Sequence, residues 1–462
     1  MNILSRRRFA AGMIAGAAAW RAKGAEGWSR LEGILGRIEA PKFPERVFDV
    51  TRYGAEPDGK DSTEAFGKAI AACAAAGGGR VLVPRGAFQT GPIYLKSNVE
   101  LHVSTGATLR FTRDPRAYLP VVFTRWEGVE CMNYSPFVYA FGERNIAITG
   151  GGVLDGQADC EHWWPWKGRT NCGWKKGDPQ QAAARDRLMA MAEKDVPVEE
   201  RRFGDGSYLR PQFIQPYRCA NVLVEGVRIV NSPMWEINPV LCRNVIVRGV
   251  KISSHGPNND GCNPECSTDV LIRDCEFDTG DDCIAIKSGR NRDGRRVAKA
   301  SESIVIQGCV IKDGHGGVTI GSEISGDVRW VFAERCRMDS PNLDRALRIK
   351  TNAVRGGVLE HIYLRDIEVG QVSGAAIEID FNYEEGNAGS FKPVVRDIEV
   401  RELRCRKSER ALSLVGYADA PIQDVRLVNC RFEEARKGNR VEHVTGLSFE
   451  NVQINGKPTR AE

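Results

Sequence analysis

NVLVEGVRIVNSPMWEINPVLCRNVIVRGVKISSHGPNNDGCNPECSTDVLIRDCEF, residues Asn221 to Phe277, carries one short pattern three times. NVLVEGVRIV begins at Asn221, NVIVRGVKIS at Asn244 and DVLIRDCEF at Asp269, so the copies start 23 and 25 residues apart. Each copy is an alternating apolar strand, a polar or glycine bend and a second short strand. Alternation places the apolar side chains on one face. A single copy cannot bury that face, but copies stacked in register make a continuous core. The expected fold is therefore all-β, a parallel β-helix, and coiling of this kind is right-handed. A β-propeller would need blades of about 40–45 residues with four antiparallel strands each, and the chain has neither.

The pattern extends both ways. Upstream, NIAITGGGVLDG begins at Asn145; downstream, copies begin at Ser303, His361, Asp397, Asp424 and Gly446. One β-helix domain from about residue 40 to 462 follows. Near its start, Asp61 or Ser62 can cap a helix running to about Ala75, with Ala65, Phe66, Ala69, Ile70 and Cys73 as its apolar stripe. Short strands follow at Arg80–Val83, Ala87–Thr90, Ile93–Leu95, Val99–Val103 and Thr108–Phe111. A lone helix ahead of short strands suits a cap over the open edge of the first coil. The pattern breaks at about 157–210, an insertion with Trp163, Trp164, Trp166 and Trp174 and a helix-like segment from about Pro179 to Lys194. Loops of this length in a compact fold are usually functional. The tryptophans suit either stacking on sugars or a small core that fastens the insertion.

Composition narrows the function classes. The chain has 462 residues, 42% apolar, with a net charge of +5. That balance permits an acidic polymer as partner, and no basic run with interleaved aromatics points to nucleic acid. Ser5-Arg6-Arg7-Arg8-Phe9 and the alanine-rich run after it resemble a twin-arginine export signal over residues 1–25. The apolar run is too short to span a membrane. The expectation is a periplasmic or secreted protein, without a membrane span in its mature form and monomeric. None of the 14 cysteines forms a CxxC pair, so no structural zinc and no other metal or cofactor is expected. Cys275, Cys309, Cys336 and Cys430 recur inside the copies and read as core thiols. Disulfide candidates are Cys262 with Cys266, or a pair among Cys131, Cys160 and Cys172.

Four patterns follow one another along successive copies: Asn258-Asn259-Asp260-Gly261, Gly280-Asp281-Asp282-Cys283, Gly314-His315-Gly316-Gly317 and Arg348-Ile349-Lys350. Asp260 and Asp281 lie 21 residues apart, about one coil, so the three aspartates should stack at roughly the 4.7–4.9 Å strand spacing. Carboxylates on a rigid wall serve glycoside hydrolysis or a calcium site. Arg348 and Lys350 point the same way because side chains alternate along a strand.

With the capping segment and the coils, these motifs resemble the polygalacturonase family, glycoside hydrolase family 28, from about Phe48 to the C-terminus. The family's first motif is Asn-Thr-Asp, and Asn259 stands in the Thr position. That substitution, NSPMWEINPV (Asn231–Val240) and FNYEEG (Phe381–Gly386) resemble its bacterial branch. The resemblance implies inverting cleavage of α-galacturonosyl linkages in pectin or its oligosaccharides. It implies Asp281 as general acid, Asp260 and Asp282 as the groups that activate water, and His315 as support for the acid. Arg348 and Lys350 would bind the substrate carboxylate, with Asn258 and Tyr383 in the sugar site. Two expectations follow: the neighbouring carboxylates raise the pKa of Asp281, and an inverting pair leaves a gap of roughly 6.5–9.5 Å for water. The competing readings are a calcium-dependent pectate lyase and a non-catalytic carbohydrate-binding β-helix. Two adjacent aspartates beside a histidine, with no further acidic cluster, favour hydrolysis.

Overall fold

The computed structural model describes residues 27–461. The chain winds into a right-handed parallel β-helix with three faces. On the first face Ile146, Val222, Val245, Val270, Ile304, Val331, Ile362, Ile398 and Val425 occupy one register position on successive coils. A second ladder runs Leu154, Ile229, Ile252, Phe277, Ile311, Met338. The third runs Ile214, Ile237, Cys262, Ile284, Val318, Leu347, Ile377. All three ladders point into one buried core.

The residue that opens each copy has a backbone reason for being there. Asn145, Asn221, Asn244 and Asp269 have φ of 53°, 58°, 55° and 54°, and Asp397 and Asp424 both have 55°. The bend before each strand thus needs a left-handed residue, which Asn and Asp tolerate best after glycine. The side chains are then used: Asn221 donates to Asn145 at 2.8 Å and Asn244 donates to Asn221 at 2.9 Å, which ties the coils at the bend.

Helix α1 spans 27–35 and α2 Thr63–Ala75. The stripe foreseen for α2 is the face it buries. Helix α1 was not foreseen. It lays Leu31 and Ile34 on Leu271, Val305, Phe332 and Tyr363, and the chain beyond sets Ile38, Ala40 and Phe43 over Ala147, Leu223 and Ile246. The folded domain therefore starts earlier than residue 40, because the outward leucines and isoleucines of the first face need this cover. No helix among the described residues is long and apolar enough to cross a membrane. The export-signal segment lies outside the described residues.

In the insertion, α3 occupies Ala182–Glu193 and Cys160 is joined to Cys172. The pairing of Cys262 with Cys266 does not form. Cys262 is buried in the third ladder, and the Cys266 sulfur accepts from Arg125 at 3.1 Å. Cys275, Cys309, Cys336 and Cys430 are free and buried, as expected. The tryptophans fasten rather than display. Trp163 packs against Tyr118 and Phe137, and the Trp164 indole donates to the Ser232 carbonyl at 2.8 Å. A short α4, Asn291–Val297, was not foreseen.

Candidate active site

The third face carries the four motifs. Its strands here are β1 Ile284–Ile286, β2 Val318–Gly321, β3 Leu347–Lys350 and β4 Ala375–Asp380. Cys262 sits opposite Ile284, so the register mate of Asp260 is Asp282. Asp281, which the 21-residue spacing had pointed to, is one residue off that register. A one-residue offset turns a side chain to the other side of its strand, and the two members of the aspartate pair accordingly meet different partners. The three carboxylates still converge, each offering an oxygen within 4.8 Å of the others. That is tighter than the gap expected for an inverting pair.

Asp282 is 0% exposed. It accepts from Lys350 Nζ at 2.6 Å, Thr319 Oγ1 at 3.0 Å and Arg348 Nη1 at 3.4 Å. Gly316 makes room for this: a Cβ there would lie 2.3 Å from Thr319 Oγ1 and 3.1 Å from Asp282. Asp281 is half-buried and faces the cleft. Its Oδ1 accepts from the Asp282 amide at 2.9 Å and lies 3.1 Å from His315 Nδ1. Asp260, 3% exposed, accepts from Asn263 at 2.9 Å and stands 3.6 Å from Lys287 Nζ.

These neighbours decide where a proton rests. Burial, then the charge of Asp281, pushes the Asp260 carboxyl up to about 8. Burial also works against ionising Asp281, but the hydrogen bond and charge of His315, with Lys350 and Lys287, outweigh it and hold Asp281 well below the usual range. Asp282 likewise overcomes burial through Lys350 and Arg348 and is lowered. The expectation that crowding would raise Asp281 is therefore corrected. Crowding raises a carboxylate of the cluster, but the one raised is Asp260, because Asp281 and Asp282 have the closer cations. His315 is raised in turn by its bond to Asp281.

Arg348 and Lys350 share one side of β3, as alternation requires. They line the cleft with Tyr383, whose ring lies 5.1 Å from Lys350 Nζ. Asn258 also lines it and accepts from Arg210 at 2.8 Å. Asn259 turns inward. It accepts from Ser254 and Gly256 and donates to the Ser232 and Met234 carbonyls. A threonine could not make these four bonds, since a hydroxyl has one hydrogen to donate.

Several cleft residues escaped sequence reading. Arg210, fully buried, donates to Gln181 of the insertion, to the Pro233 and Pro257 carbonyls and to Asn258, so it fastens insertion and catalytic loop together. Lys287 sits at the register position of Gly321 and Lys350, bonded to Glu323 at 3.0 Å. The dipeptides Ile286-Lys287 and Ile349-Lys350 were the available signal. The insertion supplies Lys167, Arg169 and Arg185, and the turn at Glu127 supplies a carboxylate. The three aspartates could offer oxygens to a metal ion. However, Lys350 and Lys287 already place ammonium groups beside them, whereas calcium wants about six to eight oxygen ligands.

A family model described as glycosyl hydrolases family 28 matches residues 203–456. A probable polygalacturonase of Vitis vinifera is 26% identical over 413 residues, 84% of this chain and 74% of that protein. An exo-poly-alpha-D-galacturonosidase of Dickeya chrysanthemi is 27% identical over 363 residues, 74% of this chain but 58% of that protein. Among solved structures, a hyperthermoactive exopolygalacturonase from Thermotoga maritima superposes with a TM-score of 0.91 at 47% identity, covering 94% of this chain and 97% of its own. A polygalacturonase from Erwinia carotovora ssp. carotovora, 21% identical with a TM-score of 0.63, shares the fold.

Proposed function

Since the chain belongs to glycosyl hydrolases family 28, we propose how this glycoside hydrolase of galacturonan divides the work among its residues. The observation that carries the reading is the convergence of three carboxylates within 4.8 Å, flanked by His315, Arg348 and Lys350 in one cleft. A galacturonate carboxylate seats on Arg348 and Lys350, guanidinium and ammonium together suiting a planar anion. That added negative charge offsets the cation that held Asp281 ionised. The proton resting on Asp260 then moves to Asp281, which donates it to the leaving glycosidic oxygen as the bond breaks. Asp260, freed of its proton and backed by ionised Asp282, takes a proton from the attacking water. The turnover ends with Asp260 protonated and Asp281 ionised, the distribution of the free protein. His315 orients Asp281, and Asn258 and Tyr383 line the sugar site.

Attack by water in a single displacement inverts the anomeric centre. We propose exo-action, supported by the Thermotoga relative and by the insertion residues that enter the cleft. Digestion of polygalacturonate followed by product sizing and early proton NMR tests both points. Mono- or digalacturonate, first appearing as the β anomer without an early fall in viscosity, is expected. Mixed oligomers would remove the exo assignment, and a first-formed α anomer would remove inversion. The lyase reading is not favoured, because the lysines occupy the place of its cation. Export through residues 1–25 is part of the proposal, supported by a disulfide suited to an oxidising compartment; the mass of protein recovered from a periplasmic fraction checks it.

The shared proton sets a pH limit. Asp260 has its pKa raised by folding, so the stability it contributes is present below the unfolded value and lost as pH rises towards about 8. Asp281 and Asp282 are lowered, so theirs is present above the ordinary carboxylate range and lost in acid. For activity, kcat/KM is expected to fall about tenfold per unit of pH above about 8, as the cluster loses its proton. A reducing-end assay across pH 6 to 10 reads this, and a flat profile would contradict proton sharing.

A further inference from the structure

Two cations in the cleft have no carboxylate to answer them. Lys350 and Arg348 meet Asp282, Lys287 and Arg290 meet Glu323, and Arg185 meets Glu127. Lys167 and Arg169 line the same cleft, and among the described residues neither forms an ion pair. Burial pushes the Lys167 ammonium down. Glu127 opposes that, and Arg210, Arg169 and Arg185 add to it. A partly buried wall of like charge is costly when empty and is stabilised by an anion.

These are not loose surface charges. Both lie within the loop closed by Cys160 and Cys172, which Trp163 and Trp164 anchor to the β-helix. Trp164 rests on Ser232 and close against Gly256, on the coils that lead into Asp260. Arg348 and Lys350 lie on the other side of the aspartates, two coils beyond Asp282. The two cationic pairs thus bracket the acids along the cleft.

We propose that the Cys160–Cys172 loop is a second carboxylate seat. In it Lys167 and Arg169 hold the acid group of the sugar on the opposite side of the scissile bond from the one held by Arg348 and Lys350. The substrate class is then a galacturonide acidic on both sides of the cleaved linkage, not one in which a neutral sugar alternates with galacturonate. This rests on the hydrolase reading above for the position of the scissile bond.

The test uses trigalacturonate. Lys167→Gln with Arg169→Gln is expected to raise KM about 10- to 100-fold, the effect of losing charged hydrogen bonds, with kcat and Tm little changed. The charge-keeping pair Lys167→Arg with Arg169→Lys should restore KM to within about threefold. Calorimetric binding of trigalacturonate in an Asp281→Asn background should show the same pattern without any bond being cleaved. Unchanged KM and affinity in the glutamine pair overturn the seat, and so does equal loss in the charge-keeping pair, which would mark a packing role. Should the unaltered protein release no reducing ends, the hydrolase reading fails, while the calorimetry still judges the seat.

Discussion

Replacing Asp281 by asparagine is expected to lower kcat on polygalacturonate by about 10³- to 10⁴-fold, the range for losing a general acid, with KM and folding close to unchanged. The amide is isosteric with the carboxyl. Its oxygen can keep the bond from the Asp282 amide, which the carboxylate now accepts at 2.9 Å. It cannot give up a proton to the leaving oxygen. Two electrostatic consequences make the result specific. His315, now raised by its bond to Asp281, should titrate nearer the ordinary histidine value, which NMR of the ring protons would follow. Asp260, pushed up to about 8 partly by the charge of Asp281, should ionise at lower pH. Turnover within tenfold of the unaltered enzyme would remove Asp281 from the acid role.

Lys350→Ala is the second large effect, and it strikes both stability and catalysis. Lys350 is 6% exposed and its ammonium lies 2.6 Å from the fully buried Asp282. Removing one partner of a buried pair leaves the other charge uncompensated, at a cost of about 3–5 kcal/mol. Thr319 and Arg348 still reach Asp282, so the lower end of that range is expected. The loss should be largest near neutral pH and shrink in acid, where Asp282 can take a proton instead. Adding Asp282→Asn should recover much of the stability and none of the activity, since the two residues are coupled. In kcat/KM the single variant should lose about 10²- to 10³-fold, because the substrate carboxylate loses a charged partner and Asp260 and Asp281 lose a shared cation. Urea unfolding at two pH values and kinetics on trigalacturonate check this. A stability change below about 1 kcal/mol would contradict the buried pair.

The coil was legible because its rules are local. Alternation within a strand, Asn or Asp at a left-handed bend, and a period of 23 to 25 residues all lie within one copy and recur in the next. The four motifs were legible for the same reason, since stacking carries one register position straight to its neighbour. Asn259 shows the limit. Its identity set it apart from the family's motif, but its function as a four-bond clip depends on Ser232, Met234, Ser254 and Gly256, which come from the same coil and the one before it. The N-terminal α1 escaped because its partners, Leu271 to Tyr363, lie more than 200 residues on.

By itself, then, the chain's text determined a stack of coils with three aspartates, a histidine and two cations on one face, because strand periodicity and coil length are short-range properties. Only the tertiary structure decided that Asp282 rather than Asp281 is the register mate of Asp260, that Lys350 seals Asp282, and that the resting proton belongs to Asp260. It also decided that a disulfide-closed loop brings Lys167 and Arg169 to the acids. Those outcomes turn on differences of an ångström or two in which charge stands nearest which carboxylate. Electrostatic energy falls with distance and rises with burial, and neither quantity is written in residue order.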